Sequence, residues 1–119
     1  MSRLLTRLER ELIGQFADRV DNEQREQLLQ DASRAMAETV ADDGSIIRFH
    51  IAGYERPPYR GQHPLPVEGT VQDADGASVL VLLHQDENDR LYELELVRND
   101  GGDLIDPKWE TLTLVTAAL

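Results

Sequence analysis

The 119-residue chain has no cysteine, one lysine and six aromatic residues. Without cysteine there can be no disulfide, no thiolate metal site and no cysteine nucleophile, and the redox state of the compartment leaves no mark on the chain. Few aromatics leave little material for a sugar-binding platform. No stretch approaches the ~20 apolar residues of a membrane span. Met1 to Arg10 carries three arginines and Glu9 among its leucines, so it has no apolar core of the roughly 7 to 15 residues of a signal peptide. A cytoplasmic protein is expected. Basic residues are scarce, 12 against 23 acidic, for a net charge of −11. That balance argues against a nucleic-acid binder or a partner of anionic membranes, since both need a basic footprint. Of the basic residues only Lys108 is a lysine, which reads as a coding bias toward arginine.

What is present is the composition of a folded domain, 40% hydrophobic and 29% charged. At this length a single domain over residues 1–119 can bury roughly two-thirds of the surface its unfolded chain exposes. Residues 6–40 have helical spacing. Leu5, Leu8, Leu12, Phe16 and Val20 form one stripe, and Leu28, Leu29, Ala32, Ala35, Met36 and Val40 a second. Thr6 with Glu9 matches a capping box, and Asp21 with Gln24 repeats the spacing. A helical hairpin is expected, with Ala32, Ala35 and Ala37 allowing close approach to its support. After Asp42-Asp43-Gly44 the period falls to two, as strands require. Strands are expected at Ser45–Ile51, around Val67–Val71, at Val79–Leu83, at Leu91–Val97 and at Thr111–Thr116. The continuously apolar Val79–Leu83 reads as a central strand covered on both faces. Residues 53–66 hold four of the five prolines and read as an ordered surface loop. The order of elements predicts an α+β fold: an N-terminal helical hairpin packed on a four- or five-stranded antiparallel sheet spanning 45–116.

Several local features occur together in one order: Leu5-Thr6 with Glu9 to Ile13, Asp43-Gly44-Ser45, Asp73-Ala74-Asp75-Gly76 before an apolar strand, and Leu91 to Glu95. In this the chain resembles the DUF6984 family of small bacterial proteins from about Leu5 to Ile105. Where that family runs acidic, apolar, tryptophan and lysine, this chain has Val97 and Arg98 after Glu95 and Leu96. The resemblance implies a fold and a bacterial origin; it implies no activity and no catalytic residues.

Motifs for chemistry are sparse. His50, His63 and His84 lack the short local spacing of zinc ligands and read as surface or strand-end residues. The turns at Asp73 and Asp86 fail as calcium loops for want of the required glycine and glutamate, and read as hairpin turns. Glu93 and Glu95 share one side of a strand, which reads as the solvent-facing side of the sheet. There is no phosphate-binding glycine loop and no nucleophile elbow, and Ser33, Ser45 and Ser78 lack an activating context. No cofactor, metal site or catalytic residue is expected.

The charge is unevenly placed: residues 1–40 carry −2, residues 41–66 carry zero, and residues 67–119 carry −9. The main expectation is a binding domain that covers a basic protein, with an immunity protein neutralising a bacterial toxin as the specific form. Its expected contact residues are Asp86, Glu87, Asp89, Glu93 and Glu95, with Tyr54, Arg56, Tyr59 and Arg60 of the proline-rich loop, since tyrosine and arginine favour binding hot spots. The alternative is a small-ligand or enzymatic module with a pocket between hairpin and sheet, fringed by Tyr54, Tyr59, Tyr92 and Trp109. An open sheet also leaves an edge strand through which copies could associate; the sequence leaves the oligomeric state open.

Overall fold

A computed structural model describes residues 1–116, so the last three residues of the expected 1–119 domain lie outside the described residues. Thr6 opens the first helix as its spacing predicts. Its hydroxyl accepts the Glu9 N–H at 3.1 Å, and the Glu9 carboxylate accepts the Thr6 N–H at 2.9 Å, a reciprocal cap worth about 1 kcal/mol. The helix that follows, α1 (Arg7–Ala17), buries Leu12, Ile13 and Phe16 along one stripe. Asp21 caps α2 (Asn22–Ser33) by accepting the Gln24 N–H at 2.8 Å. The Gln24 side chain does not complete a capping box; its amide donates to Gln85 Oε1 at 3.0 Å.

The hairpin ends at Ser33, which corrects the helical reading out to Val40. Residues Ala35–Thr39 form a strand, β2, antiparallel to β3 (Ile46–Ile51), with Ala35 opposite Ile51 and Thr39 opposite Ile47. Ala35 and Ala37 are buried while Met36 and Glu38 alternate with them. Alanine, methionine and glutamate all favour helix locally, and the ladder to β3 overrides that preference.

Six further strands complete one antiparallel sheet: β1 (Arg3–Leu4), β4 (His63–Pro64), β5 (Val67–Gln72), β6 (Ser78–Gln85), β7 (Leu91–Arg98) and β8 (Lys108–Thr116). The order is β1-β2-β3-β7-β6-β5-β8, with β4 pairing with β6 beyond the end of β5. The α+β class is as expected, with eight strands in place of four or five. The additions are β2 and the two dipeptide strands β1 and β4.

The helices cover one face of this sheet, where Leu12, Phe16 and Leu28 join Phe49, Val81, Leu83 and Leu94 in the core. On the outer face Leu80 and Leu82 stay half-buried, so β6 lies inside the sheet, next to the central β7, but is fully covered on one side only. Gly69 of β5 lets β8 close over the core. A methyl group there would come within 3.0 Å of Val81 Cβ, 3.1 Å of Leu114 Cδ2 and 3.2 Å of Leu112 Cδ1.

Arg98, at the end of β7, ties two turns together through three carboxylates. Its guanidinium donates to Asp73 at 2.8 Å, to Asp75 at 3.0 Å and to Asp100 at 2.7 Å. Asp73 also accepts the N–H groups of Ile105 and Asp106 and so anchors the segment leading into β8. Burial pushes the Asp73 carboxyl up, but these N–H groups and Arg98 outweigh it and hold it well below the usual carboxylate range. Arg98 likewise holds Asp100 low. A carboxyl depressed in the folded state adds stability that is complete above its unfolded value, about 4, and is lost as pH falls toward the folded one. Arg98→Met should therefore lower the melting temperature most at neutral pH, with the gap to the parent narrowing as pH falls below about 4. Thermal scans across this range check it, and a gap independent of pH would contradict it.

Candidate functional site

The proline-rich segment after β3, residues 53–62, forms a strap that crosses the outer side of β7 and reaches β4 beside β6. Two of its side chains fasten it. Tyr54 donates its hydroxyl to Asp86 Oδ2 at 2.7 Å, and Arg56 Nη1 donates to the same oxygen at 2.8 Å. Arg56 Nη2 also donates to the carbonyls of Phe49 at 2.8 Å and Leu91 at 3.1 Å, stitching the segment to both flanking strands. Pro64 is tolerated because, among the described residues, β4 pairs only with β6, while Leu65 N–H still donates to Leu83 O at 2.9 Å.

A register shift between His84 and Gln85 leaves Tyr92 as the extra residue on β7, and a bulge of this kind re-aims a side chain. Tyr92 lies under the strap, with the Arg56 guanidinium 4.6 Å and the Arg48 guanidinium 5.4 Å from its ring centre and the Tyr59 ring at 6.2 Å. Next to it Glu93 accepts from Arg48 at 3.0 Å and from Gln62 at 3.2 Å. On the helix side, Asp31 is buried and accepts Arg90 Nη2 at 2.7 Å, with the Leu91 N–H at 3.2 Å. The Arg90 guanidinium lies 4.2 Å from the Tyr54 ring centre.

Asp86 also accepts the N–H groups of Asn88 and Arg90 and so shapes the β6–β7 turn. Burial pushes its carboxyl up, and the Tyr54 hydroxyl, these N–H groups and the Arg56 charge together bring it below the ordinary range. At the tip, Asp89 takes a positive φ of 60°, which aspartate tolerates better than most residues.

Eight of the nine expected contact residues gather at this end of the sheet: Tyr54, Arg56, Tyr59, Arg60, Asp86, Glu87, Asp89 and Glu93. Glu95 lies farther along β7, with its Oε1 2.9 Å from His84 Nε2. Their roles differ from the expectation. Asp86 and Glu93 are buried, so the solvent-facing reading of Glu93 is corrected: the strap covers that part of the sheet. Tyr54 and Arg56 hold the strap down. Glu87, Asp89, Tyr59 and Arg60 are exposed, with Tyr59 at 70%.

The fold adds a set that the sequence did not connect. The start of α2 faces the β6–β7 turn across a groove of about 440 Å³ lined by Asp21, Glu23, Gln24, Gln27, Asn88 and Asp89. Asp21 was legible only as a helix cap, because nothing local places it beside residues so distant in the chain. Asp89 lies 3.0 Å from His63 Nε2. Among the described residues, Glu23 and Glu87 take part in no ion pair, whereas nearby Asp18 meets Arg25 and Asp86 meets Arg56.

His84 is buried, which corrects its reading as a surface or strand-end residue, and among the described residues its Nδ1 has no partner. His50 lies 2.9 Å from Glu38. Among the described residues no three His, Asp or Glu side chains converge as metal ligands. Neither helix is long and apolar enough to cross a membrane. Of the four aromatics expected around one pocket, Tyr54 and Tyr92 flank Arg56 and Tyr59 packs beside Tyr92, while Trp109 lies apart. Tyr59 and Tyr92 lie on the outer face, Tyr54 lies at the β6–β7 end, and Trp109 lines an apolar cleft of about 250 Å³ between α1 and the sheet.

A family model described as Domain of unknown function (DUF6984) matches residues 2–108. No curated protein and no solved structure matches the chain.

The Asp86 clamp makes the strap depend on one carboxylate. Asp86→Ala leaves the Arg56 guanidinium without its ionic partner and the turn without its internal acceptor, so the strap should loosen. Trypsin should then cut after Arg60 much faster than in the parent, at temperatures where circular dichroism still shows a folded sheet. Equal cleavage rates would show that the strap is held by something else.

Proposed function

The chain belongs to the DUF6984 family, a membership that supplies no activity, and from the site geometry we propose a non-catalytic binding domain whose β6–β7 end covers a basic surface of another protein. The observation that carries this reading is the division of the acidic residues. Asp73, Asp86 and Glu93 are buried against Arg98, Arg56 and Arg48. Their charge is used inside the molecule and is unavailable for attraction at a distance. Glu23 and Asp89 are exposed across one groove, with Glu87 exposed on the same β6–β7 turn. Like charges held together in this way focus a negative field, which can raise association rates with a cationic partner by roughly one to three orders of magnitude. Exposed Tyr59 on the strap adds an aromatic anchor, the residue type most often found in binding hot spots.

Within this class the specific form we propose is an immunity protein that acts in the bacterial cytoplasm on a cognate toxin. A toxin that attacks nucleic acid carries a basic substrate cleft, and the acidic groove with Tyr59 supplies the complementary chemistry. The test is co-expression with the product of the neighbouring gene. That product alone should arrest growth, and the chain should relieve the arrest and bind it with an affinity that falls steeply with salt. The triple variant Glu23→Lys, Glu87→Lys, Asp89→Lys should slow association more than about tenfold, while Glu110→Lys on β8 should not. Unchanged binding by the triple variant would overturn the reading.

A further inference from the structure

We propose that the outer edge of β8 pairs antiparallel with the same edge of a second copy of this chain, forming a two-fold dimer with one continuous sheet. β8 ends the strand order, and among the described residues no strand pairs with its outer side. The other end of the sheet is closed by β1, whose two residues make it a poor template for a further strand.

The two halves of β8 are built differently. Toward its start the pairing jumps, with Thr113 opposite Thr70 but Lys108 opposite Gln72. Thr111 holds this irregularity, its hydroxyl accepting the Gln72 N–H at 2.9 Å and donating to Lys108 O at 2.6 Å. Such a bulge guards an edge against pairing. From Thr113 to Thr116 the strand runs in register with Val67–Thr70, and here the usual guards are missing. Residues 111–116 include no charged side chain and no proline, in a chain of net charge −11. Two copies of so acidic a chain repel each other over most of their surfaces. This edge is a place where they can meet without opposing like charges.

The surroundings fit a second β8. Val115 is 63% exposed, and Leu112 and Leu114 are only partly buried beside the core. Next to them a groove of about 430 Å³ is lined by Gln15, Asp18 and Arg19 at the end of α1 and by Leu112, Thr113 and Leu114. A strand laid along β8 sends alternate side chains into this groove. In a second copy these are Leu112 and Leu114, two residues apart on one face, and a two-fold axis makes the exchange reciprocal.

The absence of cysteine makes the test clean. Single cysteines at Thr113, Val115 and Thr116 should cross-link selectively under mild oxidation at the position nearest the axis, where facing Cβ atoms come within about 5 Å. A cysteine at exposed Glu11 on α1 should not. Sedimentation of the parent should show a mass rising from 13.4 kDa toward twice that value with concentration. Thr113→Lys with Val115→Lys, both at exposed positions, should remain monomeric and melt as the parent does at dilutions where the parent is itself monomeric. A parent that stays monomeric at every concentration would overturn the proposal, whether the edge is unused or serves a strand from another protein. Equal cross-linking at Glu11, or a dimer that survives both lysines, would overturn it as well.

Discussion

A carboxylate cannot be taken out of water without a partner, and the described part of this protein buries five: Glu9, Asp31, Asp73, Asp86 and Glu93. Each is met by its own arginine, respectively Arg3, Arg90, Arg98, Arg56 and Arg48. An unpaired buried carboxylate would be strongly unfavourable, so these contacts constrain which segments can lie together. Arg90 brings the β6–β7 hairpin to α2, Arg56 brings the strap to the turn, and Arg98 gathers the turns at the other end of the sheet. The guanidinium suits these places because it offers a rigid fork of donors. Arg98 uses it on three carboxylates at once, and Arg3 grips both oxygens of Glu9 at 2.8 Å. Lysine, with one compact ammonium, cannot do the same. The near absence of lysine, which alone reads as coding bias, has a structural basis at these five positions.

This constraint changes the meaning of the net charge. A total of −11 says nothing about where a field emerges, because acids clamped by arginines add little at a distance. Asp73, Asp86 and Glu93 hold turns and the strap. What remains around the groove between α2 and the β6–β7 turn is a smaller set fixed on rigid elements. The same logic applies to β8, where the lack of charge is the informative feature. An acidic chain with one neutral, regular edge can approach its own copy there and a basic protein elsewhere.

Signals contained within a few residues were legible in the sequence. The Thr6 and Glu9 cap, the Asp21 cap, the turns at Asp73 and Asp86, and the alternation of Ile47, Phe49 and Ile51 all appear where their spacing placed them. β2 was hidden because alanines at 35 and 37 mark a buried strand face only weakly and helix propensity points the other way. β1 and β4 are too short to show a period. Glu93 had the right side of the strand and the wrong solvent, since the strap that covers it arrives from residues 53–62. Tyr92 took the side of Glu93 through a bulge that no local pattern announces. The groove was illegible for a simpler reason: Asp21 and Asp89 become neighbours only after the hairpin docks on the sheet.

The most direct measurement of this account is the melting temperature of single arginine-to-lysine variants. Lysine keeps the charge and removes the fork. Substitution at Arg3, Arg48, Arg56, Arg90 and Arg98 should lower the melting temperature clearly, while substitution at exposed Arg7, Arg10 and Arg60 should leave it nearly unchanged. Equal effects in the two groups would contradict the claim that forked pairing to buried carboxylates holds the fold and determines which acids are left to face a partner.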